Sequence, residues 1–367
     1  MKIEKLYLKN FRNYDNLEIN FCDKLNIIIG NNAQGKTNIL EAIYYLAITK
    51  SFLLVNDKMV VKKDTIYSLI KGDIFNNNGF KQLSILINSN GKKLEINEKE
   101  IKKHYEYVGN LKVIIFSPDN VRLIKDGPLN RRRFLNIEIS QLYLNYINTL
   151  NEFNIVLKQR NEYLKVIRGG SYNETYFKIL NKKYVDLAVY IIRYRDDFIN
   201  RVNKYIGDVF LRISGYNGLY IKYISNIEVE DISLMKEKML EKIENMKDRE
   251  VIYGSSLVGP QRDDFEFILD NNDLLTYGSQ GQQKMAVLSL KLAEIDVFKE
   301  ISLENPILLL DDLFSELDVD KRNKVINYLN NDIQTIVTTT DLNNITFSSI
   351  DNPNIYKIDN GKVVCKN

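Results

Sequence analysis

The strictest condition on the fold comes from residues 25–46. Asn26-Ile27-Ile28-Ile29 is a short β-branched stretch, and Gly30-Asn31-Asn32-Ala33-Gln34-Gly35-Lys36-Thr37 follows with the spacing G-x-x-x-x-G-K-T. Ile39, Leu40, Ile43 and Leu46 then recur at helical spacing. Strand, glycine loop and helix in this order make a cradle for phosphate. The glycines let backbone N–H groups turn inward, and the start of the helix adds the positive end of its dipole. Lys36 is spaced to reach β- and γ-phosphates, and the Thr37 hydroxyl to sit on Mg²⁺. The motif alone names a phosphate binder and nothing narrower.

Composition limits the remaining classes. With 367 residues and 44% hydrophobic content, the chain can build two or three compact units. A net charge of +3 gives no global attraction to nucleic acid, so a DNA-binding face must come from local clusters of Lys and Arg. Cys22 and Cys365 at opposite ends and the single histidine His104 supply neither a disulfide framework nor a zinc site, which fits a reducing cytoplasm. No apolar run approaches membrane-spanning length and the start Met1-Lys2-Ile3-Glu4-Lys5 is charged, so a cytoplasmic protein with no membrane partner is expected.

Upstream of the glycine loop, Leu6, Leu8, Phe11-Arg12-Asn13-Tyr14, Leu17, Ile19 and Phe21 alternate as a hairpin, with Arg12 a candidate to flank the nucleotide. Leu83, Ile85 and Ile87, the turn Asn90-Gly91, and Leu94 and Ile96 predict an antiparallel β meander within residues 66–96. Val113-Ile114-Ile115-Phe116 reads as a short buried strand stopped by Ser117-Pro118. Past Gly127-Pro128 the character changes. Leu135, Ile139, Leu142, Tyr146, Leu150, Phe153 and Leu157 predict one long amphipathic helix ending at Arg168-Gly169-Gly170. Ser171-Tyr172-Asn173-Glu174 has the form of a capping box for a second, carrying Phe177, Leu180, Tyr184, Leu187, Ile191 and Ile199. A charged helix over residues 232–246 follows, so a helical insertion is expected within one α/β domain.

Three later stretches complement the glycine loop. Pro306-Ile307-Leu308-Leu309-Leu310-Asp311-Asp312 is an apolar strand ending in carboxylates: set beside the glycine-loop strand, Asp311 would hold Mg²⁺ and Asp312 would orient an attacking water. Ser279-Gln280-Gly281-Gln282-Gln283-Lys284 opens a helix and offers a hydroxyl and backbone N–H groups to an anion; its ordinary reading is an N-cap. Ser315-Glu316-Leu317-Asp318 comes directly after the carboxylates.

Glycine loop, S-x-G-Q stretch, acidic strand and S-E-L-D, in this order, resemble the ABC-type ATPase heads of SMC-like DNA-repair proteins. More narrowly, Phe11-Arg12-Asn13-Tyr14, Gly30–Thr37, Phe116-Ser117-Pro118-Asp119, Arg131-Arg132-Arg133-Phe134-Leu135, Gly259-Pro260-Gln261-Arg262-Asp263-Asp264 and Asp311-Asp312-Leu313-Phe314-Ser315-Glu316-Leu317-Asp318 resemble the RecF family of bacterial recombination mediators, nearly end to end. The resemblance implies an α/β ABC-type ATPase head, a mixed sheet with flanking helices and an antiparallel meander. The head would comprise residues 1–116 and 251–367, with an inserted helical lobe at 117–250.

It further implies an ATP- and DNA-binding protein of DNA repair, replication, recombination and the SOS response. ATP and Mg²⁺ would be its cofactors, single-stranded, gapped or junction DNA its ligand, and RecR and RecO its partners. Carried over by residue, Gly30, Asn31, Asn32, Ala33, Gln34, Gly35, Lys36 and Thr37 bind ATP. Thr37 and Asp311 take the metal, and Asp312 the water. Ser279, Gln280, Gly281 and Gln282 form the signature acting in trans, and Ser315, Glu316, Leu317 and Asp318 the D-loop. One P-loop and one signature per chain imply a homodimer closing two sites on ATP binding. Asp312 is one methylene shorter than the usual glutamate, so turnover would be weak and ATP binding would act as the switch. Thr338-Thr339-Thr340-Asp341 replaces the usual switch histidine, and Gln261 stands where such chains more often carry His. Arg131, Arg132 and Arg133, with Lys102, Lys103 and Lys63, are candidate DNA contacts. The alternative is the nucleotide-binding subunit of an ABC transporter, against which the long helical insertion speaks.

Overall fold

In the computed structural model the described residues are 1–53, 56–170, 172–228, 231–313, 317–328, 332–340, 353–359 and 361–366. They divide into two compact units: residues 1–121, 205–217 and 284–367, and residues 122–204 and 218–283. No helix among them is long and apolar enough to cross a membrane.

In the first unit, β1 (Lys2–Phe11) and β2 (Tyr14–Asn20) form a hairpin, and β3 (Leu25–Ile29) runs into the glycine loop. The meander is β4 (Tyr67–Asn76), β5 (Gly79–Asn88), β6 (Gly91–Ile96) and β7 (Lys99–Ile101), and β8 (Val113–Phe116) follows it. Hairpin and meander join as one antiparallel sheet in the order β2-β1-β4-β5-β6-β7. At the β5–β6 turn Asn88 pairs with Gly91 and only Gly91 takes positive φ, so the loop residues are Ser89 and Asn90. A turn with two left-handed residues does occur one step later, at Asn97-Glu98.

Numbering past the second unit, whose strands β9 (Leu219–Ile224), β10 (Asp264–Leu269) and β11 (Asn272–Asp273) form a sheet of their own, the first unit resumes. It adds β12 (Ile307–Asp311), β13 (Thr335–Thr339), β14 (Asn354–Asp359) and β15 (Lys362–Lys366). Its second sheet has the order β15-β14-β3-β13-β12-β8, parallel except for the β14–β15 pair. The helix Lys36–Ile48 packs on strands of both six-stranded sheets. It is therefore buried all round, from Ile39 through Ile48, rather than along one stripe.

The second unit differs from the expected insertion in extent. Residues 251–283 belong to it, because β10 pairs with β9 along its whole length. The single long helix expected over 135–168 is two helices, Pro128–Leu142 and Leu144–Arg168, broken where Tyr143 turns extended at φ −130° and ψ 106°. There its ring packs 5.0 Å from that of Tyr194 and its hydroxyl reaches Asp197, contacts that outweigh helix continuity. The next helix, Glu174–Ser214, is capped by Asn173, whose side chain accepts from the Tyr176 N–H at 2.9 Å; Ser171 lies outside the described residues.

Charged groups hold this unit's interior. Arg160, fully buried, donates to Asn181, Ser256 and Glu250 at 2.8, 2.6 and 2.6 Å and lies over the rings of Phe177 and Tyr184. Arg160→Ala would leave the buried Glu250 carboxylate without its cation and lower stability by about 3–5 kcal/mol in urea unfolding, whereas Arg160→Met with Glu250→Leu restores most of it. A single-variant loss below about 1 kcal/mol would refute the assignment.

Candidate functional site

The glycine loop wraps a cavity of about 160 Å³. Its lining comprises Asn32, Ala33, Gly35, Lys36, Thr37 and Asn38 on one side and Asp311, Asp312 and Thr338 on the other. Gly35 takes φ +108° and is the N-cap of the helix Lys36–Ile48. A Cβ there would lie 2.6 Å from Asn13 Nδ2 and 2.8 Å from the Tyr14 hydroxyl, so only glycine fits. At Gly30 a Cβ would lie 2.5 Å from the carbonyl oxygen of Ile358. Lys36 folds back into the loop, where Nζ donates to the carbonyls of Gly30 at 2.7 Å and Asn31 at 2.9 Å. Burial pushes its pKa below the ordinary lysine value, opposed by the negative charges of Asp312 and Asp311.

The acidic strand is not the immediate neighbour of the glycine-loop strand, as the sequence reading had it. β13 lies between, with Thr338 paired to Ile28 on one side and to Asp311 on the other. This makes Thr338 a central residue that motif reading missed, having noted the position only for a missing histidine. Its Oγ1 donates to Asp311 Oδ1 at 2.8 Å and accepts from the Asp312 N–H at 3.0 Å. The Thr37 hydroxyl donates to the same Asp311 oxygen, also at 2.8 Å. Desolvation raises the Asp311 pKa, and these two hydroxyls pull it back down. Asp312 takes φ +48°, a left-handed conformation that costs energy for a residue with a Cβ and that collects at functional positions.

Arg12 lines no part of this cavity. Its guanidinium is paired with the fully buried Glu41, at 2.7 and 2.5 Å, and donates to the Met59 carbonyl. In the second unit, Ser279 and Gln282 form a reciprocal capping box on the helix Gln280–Ser302: the Gln282 N–H donates to Ser279 Oγ at 3.2 Å and the Ser279 N–H to Gln282 Oε1 at 2.9 Å. Ser279, Gln280 and Gly281 are exposed. Ser315 and Glu316 lie outside the described residues, as does Asp341; Leu317 is buried, and exposed Asp318 caps the helix Val319–Tyr328 through the Lys321 N–H.

The basic candidates separate by what they touch. Arg131 is a correction: it is buried, bidentate to Asp264 at 2.5 and 2.8 Å, and bonded to the carbonyls of Leu123 and Asp126, so its charge and four of its five N–H donors are engaged inside the fold rather than offered to a surface phosphate. Arg132 is half-buried and donates to the Asp263 carbonyl, and Arg133 is half-buried as well. Lys63, Lys102 and Lys103 are exposed. Gln261 bonds Tyr184 and the carbonyls of Ser256 and Val258, which gives it a structural part in its own loop.

The chain matches the model of the RecF/RecN/SMC N terminal domain family over residues 2–362. It is 39% identical to the DNA replication and repair protein RecF of Ligilactobacillus salivarius, with 100% of this chain and 98% of the relative covered. To the RecF of Lysinibacillus sphaericus it is also 39% identical, over 99% of both. A solved structure of the recombination mediator protein RecF in the RecFOR pathway, designated RecF-ATP, superposes with a TM-score of 0.92 at 31% identity, covering 100% of this chain and 97% of that one. An Smc head at 15% identity and a TM-score of 0.55 shares the fold. These relatives exclude the transporter alternative, and the chain belongs to the RecF family.

Proposed function

We propose that the chain is an ATP-dependent, DNA-binding recombination mediator of DNA repair and replication, whose working form is a homodimer with ATP bound at its seam. The observation that carries this reading is the convergence of Lys36, Thr37, Asp311 and Asp312 on one cavity in a chain of the RecF family. The cavity suits a polyphosphate: a glycine-only wrap, a helix start and a lysine already inside it. On nucleotide binding, Lys36 would exchange its two carbonyl partners for phosphate oxygens, which favour its charged form. Thr37 and Asp311 present hard oxygen donors, a set that fits Mg²⁺ bound partly through water. Bound there, the ion would offset charge on the β- and γ-phosphates. Asp312, held at its strained turn by Thr338, is the group to orient a water, and its short side chain fits a slow ATPase.

The signature fits the same reading. Ser279 Oγ accepts in its capping box and keeps its own proton to donate, beside exposed backbone at Gln280 and Gly281. Its acceptor would be the γ-phosphate on a second copy, so ATP favours the dimer by binding the closed state more tightly. Membership of the family supports Mg²⁺, DNA, RecR and RecO as its ligands. Lys63, Lys102 and Lys103, with Arg132 and Arg133, remain as DNA contacts, and Arg131 is withdrawn.

Lys36→Ala is expected to abolish ATP binding and ATP-dependent dimerisation together, read by titration calorimetry and by light scattering after gel filtration; a nucleotide-driven dimer in this variant would defeat the proposal. Ser279→Arg should bind ATP within about threefold of wild type yet stay monomeric, since bulk at an exposed helix start leaves its own chain's cavity intact. DNA affinity should fall steeply between low and moderate salt, with a log–log slope of roughly −0.7 to −0.9 per phosphate contacted; a flat response would rule out backbone recognition.

A further inference from the structure

The glycine loop has a rear wall built from residues outside its motif. Asn13 lies in the β1–β2 turn and Tyr14 opens β2, while Gly361 lies in the turn between β14 and β15, far apart in sequence. Asn13 Nδ2 donates to the Gln34 carbonyl at 3.2 Å, and the Gly361 N–H donates to that oxygen at 3.3 Å. The Tyr14 hydroxyl, on a fully buried ring, donates to the next carbonyl, Gly35, at 3.0 Å. Asn13 is itself held, since its Oδ1 accepts from Asn38 Nδ2 at 2.8 Å. The contact is close on every side: a Cβ on Gly361 would come within 3.3 Å of the Asn13 carbonyl.

This wall acts on the cavity through peptide geometry. No cis peptide occurs among the described residues, and in a trans peptide the carbonyl and the N–H across the bond point in opposite directions. With the Gln34 and Gly35 carbonyls held at the rear, the N–H groups of Gly35 and Lys36 are turned the other way. Gly35 and Lys36 line the cavity. Two successive amide donors are thus aimed by hydroxyl, amide and backbone groups from the β1–β2 hairpin and the distant β14–β15 turn, before any ligand arrives. Preorganised donors of this kind bind an anion without the cost of ordering them at the moment of binding.

We infer that Asn13, Tyr14 and Gly361 are positioning residues for nucleotide binding, aiming the Gly35 and Lys36 amides at the phosphate chain from outside the glycine-loop motif. The inference rests on the reading of the cavity as an ATP site. It assigns the β14–β15 hairpin, near the end of the sequence, a part in nucleotide affinity. It also explains why Gly35 tolerates no side chain: the Asn13 amide and Tyr14 hydroxyl that hold the Gln34 and Gly35 carbonyls occupy the space a Cβ would need.

The test compares Tyr14→Phe and Asn13→Ala with Tyr45→Phe, which deletes a buried hydroxyl bonded to Asp57 in the same unit but outside the cavity lining. Affinity is read for ATP and for inorganic tripolyphosphate by calorimetry, and nucleotide-free Tm by scanning calorimetry. Tyr14→Phe and Asn13→Ala should each weaken ATP and tripolyphosphate alike, by about fivefold, and by about 25-fold combined. Tyr45→Phe should lower the Tm and leave both affinities within twofold of wild type. Equal affinities in all three variants, with only the Tm moved, would reduce Asn13 and Tyr14 to packing and overturn the inference. Should Lys36→Ala bind ATP as wild type does, the ATP reading itself fails and this inference with it; retained loss in Lys36→Ala with no effect of Tyr14→Phe and Asn13→Ala overturns the inference alone.

Discussion

A buried carboxylate held by two hydroxyls is the interaction around which the site is assembled. Asp311 sits at the end of a strand whose residues are all buried, where an ionised group is penalised by desolvation. Thr37, from the start of the helix after the glycine loop, and Thr338, from the neighbouring strand, both donate to one of its oxygens. The carboxylate therefore ties the glycine loop to the acidic strand through the strand between them. A fold built for stability alone would place an apolar side chain here; under the proposed function, a cation and a triphosphate would complete the environment of this charge.

The rigidity behind that contact comes from the helix Lys36–Ile48. Lying against both six-stranded sheets and buried on all sides, it fixes the direction of its own N-terminus. The glycine loop inherits that fixed frame, and the strained backbone at Asp312 and the glycine at position 35 are tolerated because their surroundings over-determine them. Arg12 belongs to this frame. Its bidentate pairing with buried Glu41 ties the hairpin tip to the same helix, an arrangement that leaves it no direct part in the cavity.

In the second unit ionic groups have a different use. Arg160 with Glu250, Arg195 with Asp263 and Arg131 with Asp264 are internal pairs, each supplemented by hydrogen bonds to backbone or amide groups. Breaking such a pair leaves a buried charge, so losing one partner is costly even where the pair's own net contribution is small. The arginine triplet at 131–133 illustrates how little a run of like charges says about partners. Its first member is consumed inside the fold, and its second reaches a backbone carbonyl.

What the sequence determined by itself was mostly local. The glycine spacing, the apolar strands, the helix starts and the order of the motifs are short-range patterns, and each can be read because backbone sterics and hydrophobic periodicity act over a few residues. The strand pair β9–β10 was also within reach, since Leu219, Ile221 and Tyr223 alternate as do Phe265 and Phe267, but helical context masked it. Tertiary structure alone decided which strand separates the glycine loop from the acidic pair, and so made Thr338 a partner of Asp311. It alone broke the helix at Tyr143, set Arg131 and Arg12 inside ion pairs, and brought Asn13, Tyr14 and Gly361 behind the loop. All of these join residues far apart along the chain, where the outcome depends on summed packing and pairing that no local pattern encodes.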